Sequence, residues 1–289
     1  MIKNILITGA KGQLGSELGR LYAQYPEFNF IPTDIDELDL TDKTAVSAFV
    51  SDNQIDCIVN CAAYTAVDRA EDEIEWCYKI NRDAVRNLAE VACEKAVIIH
   101  ISTDYVFDGK ATTPYKETDQ THPQSVYGKS KREGEEILQL VCPQSIIIRT
   151  AWLYSAFGNN FVKTMLRLAK ERPELNVVYD QKGTPTYAAD LAQAILSMIV
   201  FTEKTNRWYP GVYHYSNEGQ TSWFHFTEKI LQFAEINGCQ VNPITTGQYP
   251  TKAARPVYSV LDKTKIKKTF QLIVPEWEDS LKKCILKLS

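Results

Sequence analysis

An apolar run at residues 5–8 breaks directly into Thr8-Gly9-Ala10-Lys11-Gly12-Gln13-Leu14-Gly15, and helical periodicity follows. Glycines at that spacing between a strand and a helix let the backbone turn tightly and fold the helix back over the strand it left. The alternation then repeats. Short β-branched runs at residues 3–8, 29–32, 57–60, 97–101 and 145–149 are separated by helical segments at 12–25, 43–52, 74–94 and 127–141. Val97-Ile98-Ile99 and Ile146-Ile147-Ile148 lack polar alternation, as strands covered on both faces do. The pattern predicts an α/β fold built on a doubly wound parallel sheet.

The rhythm loosens after Thr150, where helical stretches at 159–171, 187–201, 222–237 and 275–286 lie between Pro- and Gly-bearing loops and short strands at 176–179 and 211–215. The expected organisation is a dinucleotide-binding Rossmann domain over residues 1–150 and a smaller, mainly substrate-binding C-terminal lobe over 151–289, with the chain free to cross between them. No Pro/Ser/Gly-rich linker separates the two, so a ligand cleft between them is expected at the C-terminal strand ends.

Several function classes are excluded. With 32 Lys+Arg against 36 Asp+Glu, the net charge of −4 does not suit a nucleic-acid partner. The longest nearly apolar stretch, residues 191–201, falls far short of the ~20 residues that cross a bilayer. The N-terminal run has neither the charged start nor the cleavage site of a secretory signal, so a cytoplasmic protein is expected. The seven cysteines show no Cys-x-x-Cys spacing, which argues against a disulfide framework or a zinc site.

The glycine turn is a dinucleotide-binding candidate, since free N–H groups at a helix start attract a pyrophosphate. Asp34 follows the second strand, where an acidic residue meets an adenosine ribose hydroxyl and favours NAD. Lys11 in the turn argues the other way, as a partner for a 2′-phosphate, so the choice between NADPH and NADH stays open. Among 15 tyrosines only Tyr127 has a lysine four residues on, Lys131, which places both on one helix face. This helix starts beyond Ser102-Thr103, at the same rim as the glycine turn. A phenol is a sluggish acid at neutral pH, and a neighbouring ammonium is expected to lower its pKa. With a Thr103 hydroxyl holding a carbonyl oxygen, Tyr127 donates a proton while a nicotinamide delivers hydride.

Seven segments extend this reading across nearly the whole chain: residues 7–15, 60–71, 102–109 (with Thr103-Asp104-Tyr105-Val106-Phe107), 127–131, 149–154, 183–186 and 255–262. Through them the sequence resembles the extended short-chain dehydrogenase/reductases, and within these the branch that reduces dTDP-linked 4-keto-6-deoxyhexoses. The resemblance implies that NADPH or NADH reduces the 4-keto group of dTDP-4-dehydro-β-L-rhamnose to dTDP-β-L-rhamnose, the last step of dTDP-rhamnose synthesis for cell-surface polysaccharide. It implies catalytic roles for Thr103, Tyr127 and Lys131. Cofactor contacts are implied for Gly9, Lys11, Gly12, Gln13, Leu14, Gly15, Asp34, Asp39, Leu40, Ala62 and Ala63 as well as Tyr127 and Lys131. Tyr105 and Trp152 flank the sugar by the same resemblance, Asp104 lies beside the catalytic threonine, and Arg255 is a candidate for the nucleotide diphosphate. Some members dimerise around magnesium held by glutamates, one in the first helix. Glu17 fits that place, but the chain ends Lys287-Leu288-Ser289, so no metal is expected and a homodimer is left open. Two alternatives also stay open: a reductase or epimerase of another nucleotide-linked keto sugar, and a non-catalytic dinucleotide-binding regulatory subunit.

Overall fold

The computed structural model describes residues 2–93 and 95–288. Six parallel strands form one sheet: β1 (Asn4–Thr8), β2 (Asn29–Thr33), β3 (Cys57–Asn60), β4 (Val97–Thr103), β5 (Ile146–Thr150) and a last strand, Gly211–His214. Their order across the sheet is β2, β1, β3, β4, β5, Gly211–His214, all in parallel register. The chain winds one way from β1 to β2 and the other way from β3 onward. The C-terminal ends of β1 and β3 therefore flank the switch point where such sheets bind ligands.

Both faces of the sheet are covered, as the continuous apolar runs require. Ile5, Ile7, Cys57, Val59, Ile99, Ile146 and Ile148 pack against α1 (Gln13–Gly19) and α7 (Ala188–Thr205), with Ile266 and Phe270 of α9 (Thr264–Phe270). On the opposite face, Leu6, Ile58, Ile98 and Ile147 meet Val46 and Val50 of α2 (Lys43–Asp52), Leu88 of α4 (Ala84–Ala92) and Leu138 of α5 (Val126–Val141). Side chains cap several of these helices. Asp42 accepts from the N–H groups of Thr44 and Ala45 at the start of α2, and Ser125 accepts from the Gly128 N–H at the start of α5.

Two segments depart from the periodicity. The first helix stops at Gly19 and continues as a single 3₁₀ turn, Tyr22–Gln24, whose Tyr22 ring stacks on Phe30 at 4.3 Å. The long helix expected over 74–94 is α3 (Ile74–Tyr78), a π turn at Lys79–Asp83 and then α4; its expected end at Glu94 lies outside the described residues.

The second lobe has its own core. Here α6 (Phe161–Glu171), α8 (Trp223–Phe233) and α10 (Trp277–Leu286) surround Tyr154, Leu175, Val177, Tyr187 and Phe226. A parallel pair, Glu174–Val178 with Gln240–Ile244, lies at its edge. The chain crosses back twice: α7 and Gly211–His214 return to the sheet, and α9 does so again.

The turn after β1 depends on backbones in contact. A Cβ on Gly15 would sit 2.4 Å from the Gly9 carbonyl oxygen, and one on Gly9, whose φ is +64°, would sit 2.8 Å from the Ala62 nitrogen. Neither neighbour is the flexible end of a side chain. Gly15→Ala should therefore destabilise the protein by about 1–3 kcal/mol, read as a lower urea midpoint; an unchanged midpoint would contradict the packing described.

Candidate active site

Glycines and alanines at the sheet's rim make room for a flat, phosphate-bearing molecule. A cleft of about 490 Å³ opens between the turns after β1, β2 and β3, lined by Gly9, Lys11, Gly12, Asp34, Asp39, Leu40, Ala62 and Ala63 among others. Gly9 and Gly15 serve close packing, whereas a Cβ on Gly12 would have only the Gly9 oxygen within 4 Å, at 3.2 Å, so the turn is open on that side. The first-turn N–H groups of α1 have no partner within the helix. Such a cradle fits a dinucleotide. Leu14 turns its side chain into the core, and the Gln13 amide oxygen accepts from Asn160 at 3.0 Å.

At the end expected to hold adenosine, both Asp34 oxygens are occupied by backbone donors, the Lys11 N–H and the Ile35 N–H, each at 2.9 Å. Its carboxylate thus ties the glycine turn to the end of β2. The Lys11 ammonium lies 2.8 Å from Asp36 and 3.3 Å from Glu37, on the open surface. Asp39 accepts from the Thr41 N–H, and the Leu40 carbonyl accepts from Asn87 at 3.0 Å, which fixes the wall expected to meet adenosine.

Deeper in, α5 delivers Tyr127 and Lys131 one turn apart, both almost fully buried at 9 % and 1 % exposed. The helix reaches this position because Gly128 lets it rest on the Tyr105 carbonyl, where a Cβ would fall at 2.3 Å, and because Gly134 lets it rest on the Asn81 carbonyl at the same distance. Thr103 ends β4 and donates to the Asp104 carboxylate at 3.0 Å while accepting from the Tyr105 N–H at 3.2 Å. The Tyr105 ring stands edge-on to Tyr127 at 5.5 Å. Lys131 donates to the Ile101 carbonyl at 2.7 Å and contacts His100 Nε2 at 3.2 Å.

The electrostatics differ from the expectation. Burial pushes the Tyr127 phenol up, against the pull of the Thr103 hydroxyl, with Asp104 pushing the same way as burial. Burial also brings Lys131 down to about 8, partly opposed by Glu135. For both groups burial, which disfavours the charged form, is the largest cause. At neutral pH the phenol is fully protonated, a state suited to giving a proton. Burial raises Asp104 to about 6, against the pull of the Ser259 and Thr103 hydroxyls. Among the described residues, its Oδ2 has no hydrogen-bond partner.

The expected sugar side is strongly aromatic. Trp152 has a left-handed backbone (φ +49°), stacks on Trp223 at 3.5 Å and fits over Gly183, where a Cβ would meet its ring at 2.6 Å. Holding a bulky residue in that conformation costs of order 1–3 kcal/mol, so the surrounding packing must hold it there. Arg255 donates to the Tyr105 hydroxyl at 2.9 Å and pairs with Asp68. Its guanidinium is thus already engaged, and it bridges the C-terminal lobe to the loop after β3. Glu17 is buried against the Ser155 hydroxyl at 2.6 Å, with the Lys287 ammonium 4.0 Å away. Among the described residues, no group of three or more His, Cys, Asp or Glu is placed to hold a metal ion.

The family model described as the RmlD substrate binding domain matches residues 3–289. A dTDP-4-dehydrorhamnose reductase from Aggregatibacter actinomycetemcomitans is 44 % identical over 286 residues, covering 96 % of this chain and 97 % of that protein. The chain belongs to the dTDP-4-dehydrorhamnose reductase family. A solved member from Clostridium acetobutylicum superposes with a TM-score of 0.92 at 44 % identity, covering 99 % of both chains. Another family member, from Bacillus anthracis, solved in complex with NADP, superposes equally well at 38 % identity, covering 99 % of this chain and 100 % of that one.

Sequence reasoning missed three residues that shape this family member's site. Asn81, in the π turn, accepts from the Tyr64 N–H at 2.9 Å and donates to the Tyr64 carbonyl at 3.1 Å, so it clamps the loop that follows Ala62-Ala63. Asn60 and His100, paired in register on β3 and β4, carry a buried polar chain toward Lys131. Their signal was available: Asn60 follows the apolar Cys57-Ile58-Val59, and His100 interrupts the apolar run Val97 to Ile101.

Asp36 and Glu37 pair with the Lys11 ammonium while Asp34 accepts from its backbone N–H, so a ribose 2′-phosphate placed there, as the sequence predicts, is expected to meet net negative charge. Asp34→Ala should lower the ratio of the Kd for NADPH to that for NADH roughly tenfold, about 1.4 kcal/mol, measured by fluorescence titration. Taking the ratio removes any loss of turn stability common to both cofactors. An unchanged ratio would contradict the charge argument.

Proposed function

We propose that the protein reduces the 4-keto group of dTDP-4-dehydro-β-L-rhamnose to dTDP-β-L-rhamnose, with Thr103, Tyr127 and Lys131 as its catalytic residues. It is an NAD(P)H-dependent oxidoreductase of the rhamnose branch of nucleotide-sugar metabolism. The observation that supports the residue assignment is a protonated, buried phenol in hydrogen-bond reach of the Thr103 hydroxyl, with a buried lysine one turn along the same helix. The nicotinamide, when bound there, supplies the hydride.

The chain's own residues do the rest. Thr103 and Tyr127 hold the keto oxygen, and Tyr127 gives it a proton as negative charge develops there. Lys131, one turn along the helix, stabilises the phenolate that remains. Asp104 offers its unpartnered Oδ2 to a sugar hydroxyl beside the reacting carbon. Tyr105 and Trp152 present aromatic surface to the apolar side of a deoxyhexose. Arg255 closes the loop after β3 over the site through Asp68 and leaves its remaining N–H groups for a diphosphate. The dinucleotide domain over residues 1–150 and the substrate lobe over 151–289, with its two crossings, follow from the same division of labour. Among the described residues no helix is long and apolar enough to cross a membrane. That supports the cytoplasmic placement proposed here, where a dTDP-sugar is made and used.

Purified protein mixed with NADPH and dTDP-4-dehydro-β-L-rhamnose should consume the nicotinamide absorbance and form dTDP-β-L-rhamnose, identified by NMR. Cofactor consumption only with a differently configured keto sugar would overturn the substrate assignment. Tyr127→Phe should keep the fold and the cofactor affinity while lowering kcat by about 10²-fold or more, the range for losing a positioned acid. Wild-type turnover in that variant would remove Tyr127 from its role.

A further inference from the structure

Between the glycine turn and the catalytic lysine runs a buried chain of hydrogen bonds that the proposed chemistry has not used. Thr8 donates to Asn60 Oδ1 at 2.7 Å, and the Ala62 N–H donates to the same oxygen at 3.2 Å. Asn60 Nδ2 then meets His100 Nδ1 at 3.0 Å, and His100 Nε2 meets Lys131 Nζ at 3.2 Å.

The direction of this chain is determined by the Ala62 N–H. A backbone N–H can only donate, so the Asn60 atom facing Ala62 must be the oxygen and the atom facing His100 must be the NH₂ group. His100 Nδ1 must therefore accept. The imidazole is fully buried and kept neutral by burial and by the adjacent Lys131, so its one proton is on Nε2. That proton points at a lysine nitrogen, and an ammonium has no lone pair to receive it.

We propose that His100, locked in its Nε2–H tautomer by Asn60, is a positioning residue for Lys131 that opposes the ammonium and accommodates the amine, making the lysine a ready proton donor during turnover. The amine form accepts the Nε2 hydrogen and still donates to the Ile101 carbonyl. The proton it has lost passes toward the Tyr127 phenolate, and solvent replaces it afterwards. Other groups near the lysine pull the opposite way. Glu135, one turn along α5, favours the ammonium, as do Cys61 after β3 and Cys77 on α3, although Glu135 is itself held by Arg149 at 2.7 Å and by Arg132 at 3.2 Å. Asp104 and Tyr105 face Tyr127 on the substrate side. The resulting balance puts Lys131 at about 8, inside the working range.

The inference deepens the proposed function and rests on Lys131 acting beside Tyr127, so its test includes a readout independent of activity. In ¹⁵N-histidine-labelled protein with NADPH bound, the four histidines are few enough to resolve. The signal lost in His100→Phe should show an unprotonated Nδ1 and a protonated Nε2. A proton on Nδ1 would overturn the proposal whatever the sugar substrate proves to be. Asn60→Asp replaces the NH₂ by an acceptor, so it should move the proton to Nδ1 and raise the alkaline limb of kcat/KM by about one pH unit or more, a tenfold shift in the lysine's equilibrium. His100→Phe should also raise that limb. A loss of rate equal at every pH, with the limb in place, would mean that His100 only fills space. Should either variant fail to fold, the His100 signal is assigned instead by correlation to its own backbone resonances, and the wild-type tautomer decides.

Discussion

A lysine amine with 1 % of its surface exposed is the group around which this site is arranged. Removing such a charge from water carries a penalty of several kcal/mol even after relaxation, and it persists only where neighbours answer it. The Ile101 carbonyl does so directly. Glu135 does so from one turn away, and Arg149 in turn grips Glu135 through two nitrogens at 2.9 and 2.7 Å. These partners come from β4, α5 and β5, so the lysine's position depends on the register of the central sheet. A one-residue slip of β4 would turn His100 to the opposite face and withdraw the Ile101 carbonyl.

The same sheet supplies the rest of the machinery through close backbone contact. Gly9 against Ala62 brings the phosphate turn up to the loop after β3, and Gly128 against the Tyr105 carbonyl brings the phenol up to the strand end that bears Thr103. The proposed cofactor cleft and proton donor are thereby set relative to one another by rigid elements, while the proposed substrate side combines the turn after β4 with loops of the second lobe. This division suits a reductase whose chemistry is common to many substrates and whose sugar contacts are particular. Arg255 joins the halves, since its pairing with Asp68 and Tyr105 spans from the C-terminal lobe to the sheet's rim.

Much of this was legible from sequence because it is local. The glycine turn, the five strands of the first half, and the Tyr127 and Lys131 pair all announce themselves within short windows. What escaped depends on partners far along the chain. Gly211–His214 reads as a stray strand of the second lobe, yet it pairs with β5 some sixty residues earlier, and α7 packs on α1 across a still longer interval. The expected lowering of the Tyr127 pKa failed because the window shows a nearby lysine but not the roof that desolvates both groups. The pairing of Arg255 with Asp68 escaped as well, because nothing in its own segment reveals a carboxylate 187 residues away. His100 was visible as a polar intruder in an apolar strand, but its meaning required Asn60 beside it in the sheet and Lys131 above.

In the proposed reaction, hydride and proton meet at one ketone carbon and oxygen held above this rim. Single-turnover reaction of the wild-type protein with NADPH deuterated at the transferring C4 position tests it most directly, with the sugar product read by NMR. Deuterium at C4 of the hexose, and nowhere else on it, is the predicted result. A sugar product carrying no deuterium, or one labelled at another carbon, would contradict the account.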